Sequence, residues 1–126
     1  LEWSNAPEGT KSFVITAYDP DAPTGSGWWH WVAFDIPADV NSLVQGAGSE
    51  GGNMPDGAVQ SRTDFGTPGF GGACPPPGEV HRYEFTVHAL GVESLGLDEN
   101  ASAALVGFMT GANSLGSADI TAVYTR

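Results

Sequence analysis

The chain has 126 residues, 40% of them hydrophobic and 15% charged, with 18 Gly and 9 Pro, a composition that describes a compact, turn-rich β protein better than a helical or disordered one. Four Lys and Arg stand against 15 Asp and Glu, a formal charge of −11, so the surface repels nucleic-acid phosphates and anionic membrane faces, and nucleic acid is not expected as a partner. The lone Cys74 excludes an internal disulfide and a Cys-rich metal cluster, and no apolar run approaches the roughly 20 residues that would span a bilayer as a helix.

The expected organisation is one domain over residues 1–126, without repeats, linker or charge block. It opens on Leu1-Glu2-Trp3-Ser4 rather than Met, which suggests processing or the loss of a natural N-terminal portion. A cytoplasmic location is expected, or a periplasmic or secreted one if an N-terminal signal has been removed. Residues 12–18 (Ser-Phe-Val-Ile-Thr-Ala-Tyr) are β-branched and aromatic and predict a strand, ended by the turn string Asp19-Pro20-Asp21-Ala22-Pro23. Residues 28–36 predict a second strand, in which strict alternation puts His30, Val32, Phe34 and Ile36 on one face. Between 39 and 79 the chain is rich in Gly, Pro, Asn and Asp, which predicts long loops with one short strand around Val59 to Thr63.

Residues 80–90 alternate cleanly, with His81, Tyr83, Phe85, Val87 and Ala89 on one side and Arg82, Glu84, Thr86 and His88 on the other. An ion pair of Arg82 with Glu84 is expected on the second side. A helix is predicted over 99–110, capped by Asp98 or Asn100, with Leu105, Phe108 and Met109 as its apolar stripe and Gly111 as its stop. A last strand, about Ala118 to Tyr124, completes a mainly β, antiparallel-rich fold with one short helix near the C-terminus.

Polar groups able to do chemistry concentrate at predicted strand ends: Asp19 and Asp21, then His30, then His81 and Tyr83. Gly71 through Gly78 adds a stiff wall of glycines and prolines in which a backbone N–H, such as that of Cys74, can face a ligand. Two imidazoles and a phenol are directional donors suited to an oxyanion. The carboxylates suit it less, unless each accepts from a histidine ring and fixes its tautomer, holds a proton, or meets the cationic part of a zwitterionic ligand. The histidine and aspartate spacing fits no compact metal motif, and the glycine-rich stretch 66–72 precedes no helix starting Lys-Ser/Thr, so neither a metal nor a nucleotide cofactor is expected. No nucleophile or acid pair completes an enzyme mechanism.

With Asp19-Pro20-Asp21-Ala22-Pro23, Trp29-His30-Trp31, and Gly69 through Gly78 followed by His81-Arg82-Tyr83, the chain resembles the phosphatidylethanolamine-binding, or Raf-kinase-inhibitor-like, protein family over nearly its whole length, most closely the short bacterial and archaeal branch. The resemblance implies a central β-sandwich with a small anion pocket at one end. It implies that Asp19, His30, the backbone at Cys74, Pro76 and Tyr83 line that pocket, with Asp21 and His81 in support. It also implies a phosphate or phosphorylated head group as ligand, a homodimer, and a protein partner such as a kinase or hydrolase as the alternative role. A metal-assisted hydrolase is the third reading. Two departures from the family pattern are the absence of its further N-terminal strands and of the C-terminal helix of the eukaryotic branch; the second weakens any transfer of kinase regulation.

Overall fold

A computed structural model of the chain describes residues 2–44, 47–48, 52–71 and 77–125. Among them, five strands form one antiparallel sheet in the order β3-β2-β1-β4-β5: β1 Ser12–Asp19, β2 Trp28–Pro37, β3 Val59–Gln60, β4 Val80–Leu90 and β5 Ser114–Thr125. The helix α1, Ala103–Asn113, precedes β5. No helix of the described residues is long and apolar enough to cross a membrane.

The β-branched run of β1 makes it the central strand, paired with β2 on one edge and β4 on the other. Its alternation splits the core in two. Phe13, Ile15 and Ala17 face one layer, with Trp31, Ala33, Ile36, Leu43, Ala47 and Ala89. Val14 faces the other, with Val32, Phe34, Leu90, Leu95, Ala101 and Val106. The first layer is closed by Trp3, Val40 and Met54 from loops, the second by the segment that leads into α1.

Strict alternation fails on β2, because that strand carries an extra residue twice. Register slips between the Phe13↔Ile36 and Ile15↔Ala33 pairs and again between Ala17↔Trp31 and Tyr18↔Trp29. At the first slip Asp35 takes a left-handed φ of 56°, its carboxylate accepting from Leu95 N at 2.9 Å and Ser94 Oγ at 2.8 Å. At the second the unpaired residue is His30. Such bulges bend a strand and re-aim its side chains, so Val32 and Phe34 share a face while Ile36 belongs to the opposite layer, with Trp31 and Ala33.

The expected helix start also moves. Asp98 does accept from Asn100 N, at 2.9 Å, but that closes a turn; the N-cap is Ser102, whose Oγ accepts from Leu105 N. The buried helix positions are Val106 and Thr110, whereas Leu105 is 43% and Phe108 72% exposed, so the contact stripe lies about a third of a turn from the expected one. Gly111 does not stop the helix, which runs to Asn113 and passes at Ser114 directly into β5, a longer strand than expected. The short strand expected around Val59 to Thr63 is only Val59–Gln60.

Candidate functional site

Antiparallel pairing brings the C-terminal end of β1 and the N-terminal ends of β2 and β4 to the same edge of the sheet. On the face of the first core layer this edge bears Asp19, His30, His81 and Tyr83, all buried. His30 reaches that face through the bulge, and its ring meets Tyr83 edge-on at a centroid distance of 5.3 Å and Phe65 at 5.4 Å.

Asp19 continues the inward alternation of Phe13, Ile15 and Ala17. Its Oδ1 accepts the backbone N–H of Asp21 at 2.8 Å, an Asx turn that starts the Asp-Pro-Asp-Ala-Pro loop. Its Oδ2 lies 2.7 Å from His81 Nδ1, and on the opposite side of the imidazole Glu79 Oε1 lies 2.7 Å from Nε2. A carboxylate oxygen at each ring nitrogen favours the doubly protonated ring, in which both nitrogens donate. The hydrogen bond to Glu79 first, and that to Asp19 second, raise the His81 pKa above its ordinary 6.5.

His30 is held differently. Its Nδ1 lies 2.7 Å from the carbonyl of Gly71, an obligate acceptor, which fixes the Nδ1–H tautomer; Gly71 N in turn donates to the His30 carbonyl at 2.9 Å. A Cβ at position 71 would stand 2.3 Å from the Phe65 ring, so glycine is what lets this loop close on the strand. The loop on the other side is fastened by Tyr18, whose hydroxyl donates to Ser26 O at 2.8 Å, and by Thr24, whose hydroxyl donates to Gly27 O.

Between the loops lies a cavity of about 260 Å³ lined by Asp19, Ala22, Pro23, Thr24, Trp28, His30, Phe65 and His81. It is small, with apolar walls and few polar groups, dimensions suited to a head group rather than a large molecule. Trp28 packs edge-on against Phe65 at 5.3 Å, and its buried indole Nε1 has no acceptor among the described residues.

Four of the residues singled out in the sequence thus stand together: Asp19, His30 and His81 line the cavity, and Tyr83 packs edge-on against His30. Asp21 is turned outward. Its carboxylate takes Arg82 N at 2.7 Å and the Arg82 guanidinium at 2.8 Å and 3.0 Å, so the ion pair of Arg82 is with Asp21, not Glu84. Those hydrogen bonds hold the Asp21 pKa down to about 2. Cys74 and Pro76 lie outside the described residues. Sequence reasoning missed Glu79, Trp28 and Phe65 as site residues. Glu79 precedes β4, Trp28 is separated from His30 by the bulge that breaks the alternation, and Phe65 lies 35 residues along the chain from His30, so none of the three carried a periodic signal.

Three comparisons bear on this arrangement. The family model described as phosphatidylethanolamine-binding protein matches residues 1–125. The chain belongs to the phosphatidylethanolamine-binding protein family. YbhB of Escherichia coli K12 is 60% identical over 125 residues, covering 99% of this chain and 79% of that relative. A protein of the archaeon Methanothermobacter thermautotrophicus is 40% identical over 126 residues, covering 100% of this chain and 81% of its own length. The crystal structure of E. coli YbcL, described as a new member of the mammalian PEBP family, superposes with a TM-score of 0.95 at 57% identity, covering 99% of this chain and 77% of that one. The mainly β, antiparallel fold with a short helix near its C-terminus is therefore that of the family, in its bacterial and archaeal branch.

Proposed function

We propose that this member of the phosphatidylethanolamine-binding protein family binds a small anion, a phosphate or a phosphorylated head group, in the cavity at the β1, β2 and β4 ends. The observation that carries the reading is the cavity itself, small and walled by the buried His30 and His81 inside a protein of net charge −11. A positive charge on His81 is offset by the carboxylates of Asp19 and Glu79 at its two nitrogens, and the ring lines the space that a ligand can fill. Trp28 Nε1 adds a donor in search of an acceptor, and His30 offers its second ring nitrogen. NMR titration of the wild type and His30→Ala with phosphoethanolamine tests it: saturating shifts at His30, His81 and Tyr83, absent in the mutant, are expected, and silence in both proteins would refute the reading.

A protein partner such as a kinase or hydrolase is the second reading, supported by Phe65 in the cavity wall and by Phe70, which are 48% and 37% exposed. Exposed aromatics of this kind anchor interfaces. Capture of one stoichiometric partner that is lost on Phe70→Ser would favour it. For the homodimer expected of this branch, the outer face of α1 is the surface we assign. Residues 101–118 include no charged side chain, so a second copy of this acidic chain meets least repulsion there. Light scattering should give twice the chain mass, falling to one in Phe108→Glu.

A further inference from the structure

The segment before β1 crosses the first core layer as a strap. At one end Trp3 N donates to Asn41 O at 3.0 Å, and at the other Lys11 N donates to Leu90 O at 2.8 Å; between them the Pro7 carbonyl accepts from both the backbone and the hydroxyl of Thr10. Beneath the strap lies a second cavity, of about 180 Å³. Its floor is the sheet itself, with Phe13, Ala89 and Gly116 across one rung and Val87 and Ala118 across the next on that face. Interiors are ordinarily packed without such hollows. Here Ala89, Gly116 and Ala118 are too small to fill the space, and the strap can come no closer, because Pro7 already rests over Gly116, where an added Cβ would stand 3.3 Å from Pro7 Cγ.

The lining says what the space accepts. None of the described lining residues carries a charge, in a chain with 15 acidic side chains, so an ion entering would lose its hydration without a counter-charge. One polar group stands out. The Trp3 indole packs edge-on against Phe13 at 5.4 Å, and its Nε1, closed off from solvent, has no acceptor among the described residues, whereas a buried Trp N–H ordinarily finds one. The length of β4 from His81 to Ala89, roughly 26 Å at the rise of an extended strand, separates this cavity from the one at the histidines, and the two share no described lining residue.

We infer that the cavity under the strap is a second binding site, for a small neutral molecule with an apolar body and one acceptor oxygen, such as a cyclic ketone. The body fills the hollow over Ala89 and Ala118, and the oxygen accepts from Trp3 Nε1–H. Volume sets the size, since an apolar cavity of roughly 150 Å³ takes one benzene ring: a single ring or a short branched chain fits, and a nucleoside or a whole lipid does not. The ligand is thus opposite in character to the anion proposed for the histidine cavity, and neither site depends on the other.

NMR titration with cyclohexanone, benzene and benzoate tests the inference, read at the methyl groups of Val87, Ala89 and Ala118 and at the Trp3 indole proton. In the wild type cyclohexanone should give saturating shifts at these groups, with the indole proton moving downfield as its hydrogen bond forms, and benzoate should give none. Ala118→Leu, at an exposed position, should fill the hollow and abolish the shifts at Val87 and Ala89, while unchanged His30 and His81 resonances show that the fold is intact. Trp3→Phe keeps a ring against Phe13 but removes the donor, so it should weaken cyclohexanone about fivefold and leave benzene unaffected. No saturation with cyclohexanone, or shifts that persist in Ala118→Leu, would overturn the site. Saturation with benzoate, or an equal effect of Trp3→Phe on cyclohexanone and benzene, would overturn the class of ligand.

Discussion

Asp19 Oδ2 stands 2.7 Å from His81 Nδ1, with both side chains almost wholly buried. This pair joins the end of the central strand to the start of β4, so the protonation of one ring bears on both the site and the sheet. Because the folded protein raises the His81 pKa above 6.5, the stabilisation is complete below that ordinary value and is lost as pH rises through the folded one. Melting temperatures taken from about pH 5 to about pH 9 should fall on the alkaline side in the wild type and stay flatter in His81→Gln. Asp19→Asn should move the His81 titration to lower pH and weaken phosphate binding. An alkaline limb of equal size in wild type and His81→Gln would show that another group governs it.

Asp21 and Arg82 give the opposite sign. The Asp21 pKa falls from 3.8 to about 2 through hydrogen bonds from the Arg82 side chain and backbone, so its contribution is present above the ordinary value and disappears as pH falls through about 2. Arg82→Met should therefore be less stable than the wild type at neutral pH, with the gap closing in strong acid. The pair is partly exposed, so added salt should narrow the gap at neutral pH as well.

The loop over the cavity depends on Gly27. Its φ is 72°, and a Cβ there would stand 2.3 Å from the Tyr18 hydroxyl oxygen and 2.7 Å from the Asp19 carbonyl. The second contact is with backbone and cannot be relieved by a rotamer change. Gly27→Ala should cost about 1–3 kcal/mol in chemical denaturation, and because the displaced carbonyl belongs to Asp19 it should also perturb the His81 resonances. Gly57→Ala, at a similar φ of 85° but in open space, should leave those resonances unchanged.

Asp35 is held in its left-handed conformation by what its carboxylate accepts from Ser94 and Leu95. Asp35→Ala leaves the part-buried Leu95 N–H without its acceptor, at a cost of about 1–3 kcal/mol. Asp35→Asn, which keeps an acceptor oxygen and tolerates the same φ, should lose less. Equal losses in the two variants, measured by urea unfolding, would show that the hydrogen bonds do not hold the bulge.

The parts of the fold written in side-chain chemistry were legible in the sequence. The β-branched run at 12–18 and the alternation of 80–90 correspond to β1 and β4, and alternation placed His81 and Tyr83 on the face of Phe85, Val87 and Ala89. What escaped was geometry without a compositional mark. An extra residue in β2 looks like any other residue, so the facing of His30 and Ile36 followed the wrong phase. Asp98 and Asn100 have the chemistry of a helix cap, yet Asp98 caps only a turn, and Ser102 begins the helix. Glu79 read as a loop residue because nothing local shows that it folds back onto the imidazole two positions on. Phe65 is placed against His30 by a contact across 35 residues, which no periodicity can reveal.

The two bulges on β2 act as independent absorbers of length. Each takes up one extra residue against a regular β1 while the pairs on both sides of it keep their partners, so Trp28, Trp31, Ala33 and Ile36 all face the same way along the strand. Losing the extra residue at one of them restores plain alternation there and leaves the hydrophobic layers in phase and the other bulge unchanged. Deletion of His30 is therefore expected to leave a foldable sheet whose cavity has lost its histidine, and the strand tolerates at this point a residue chosen for the site rather than for the core.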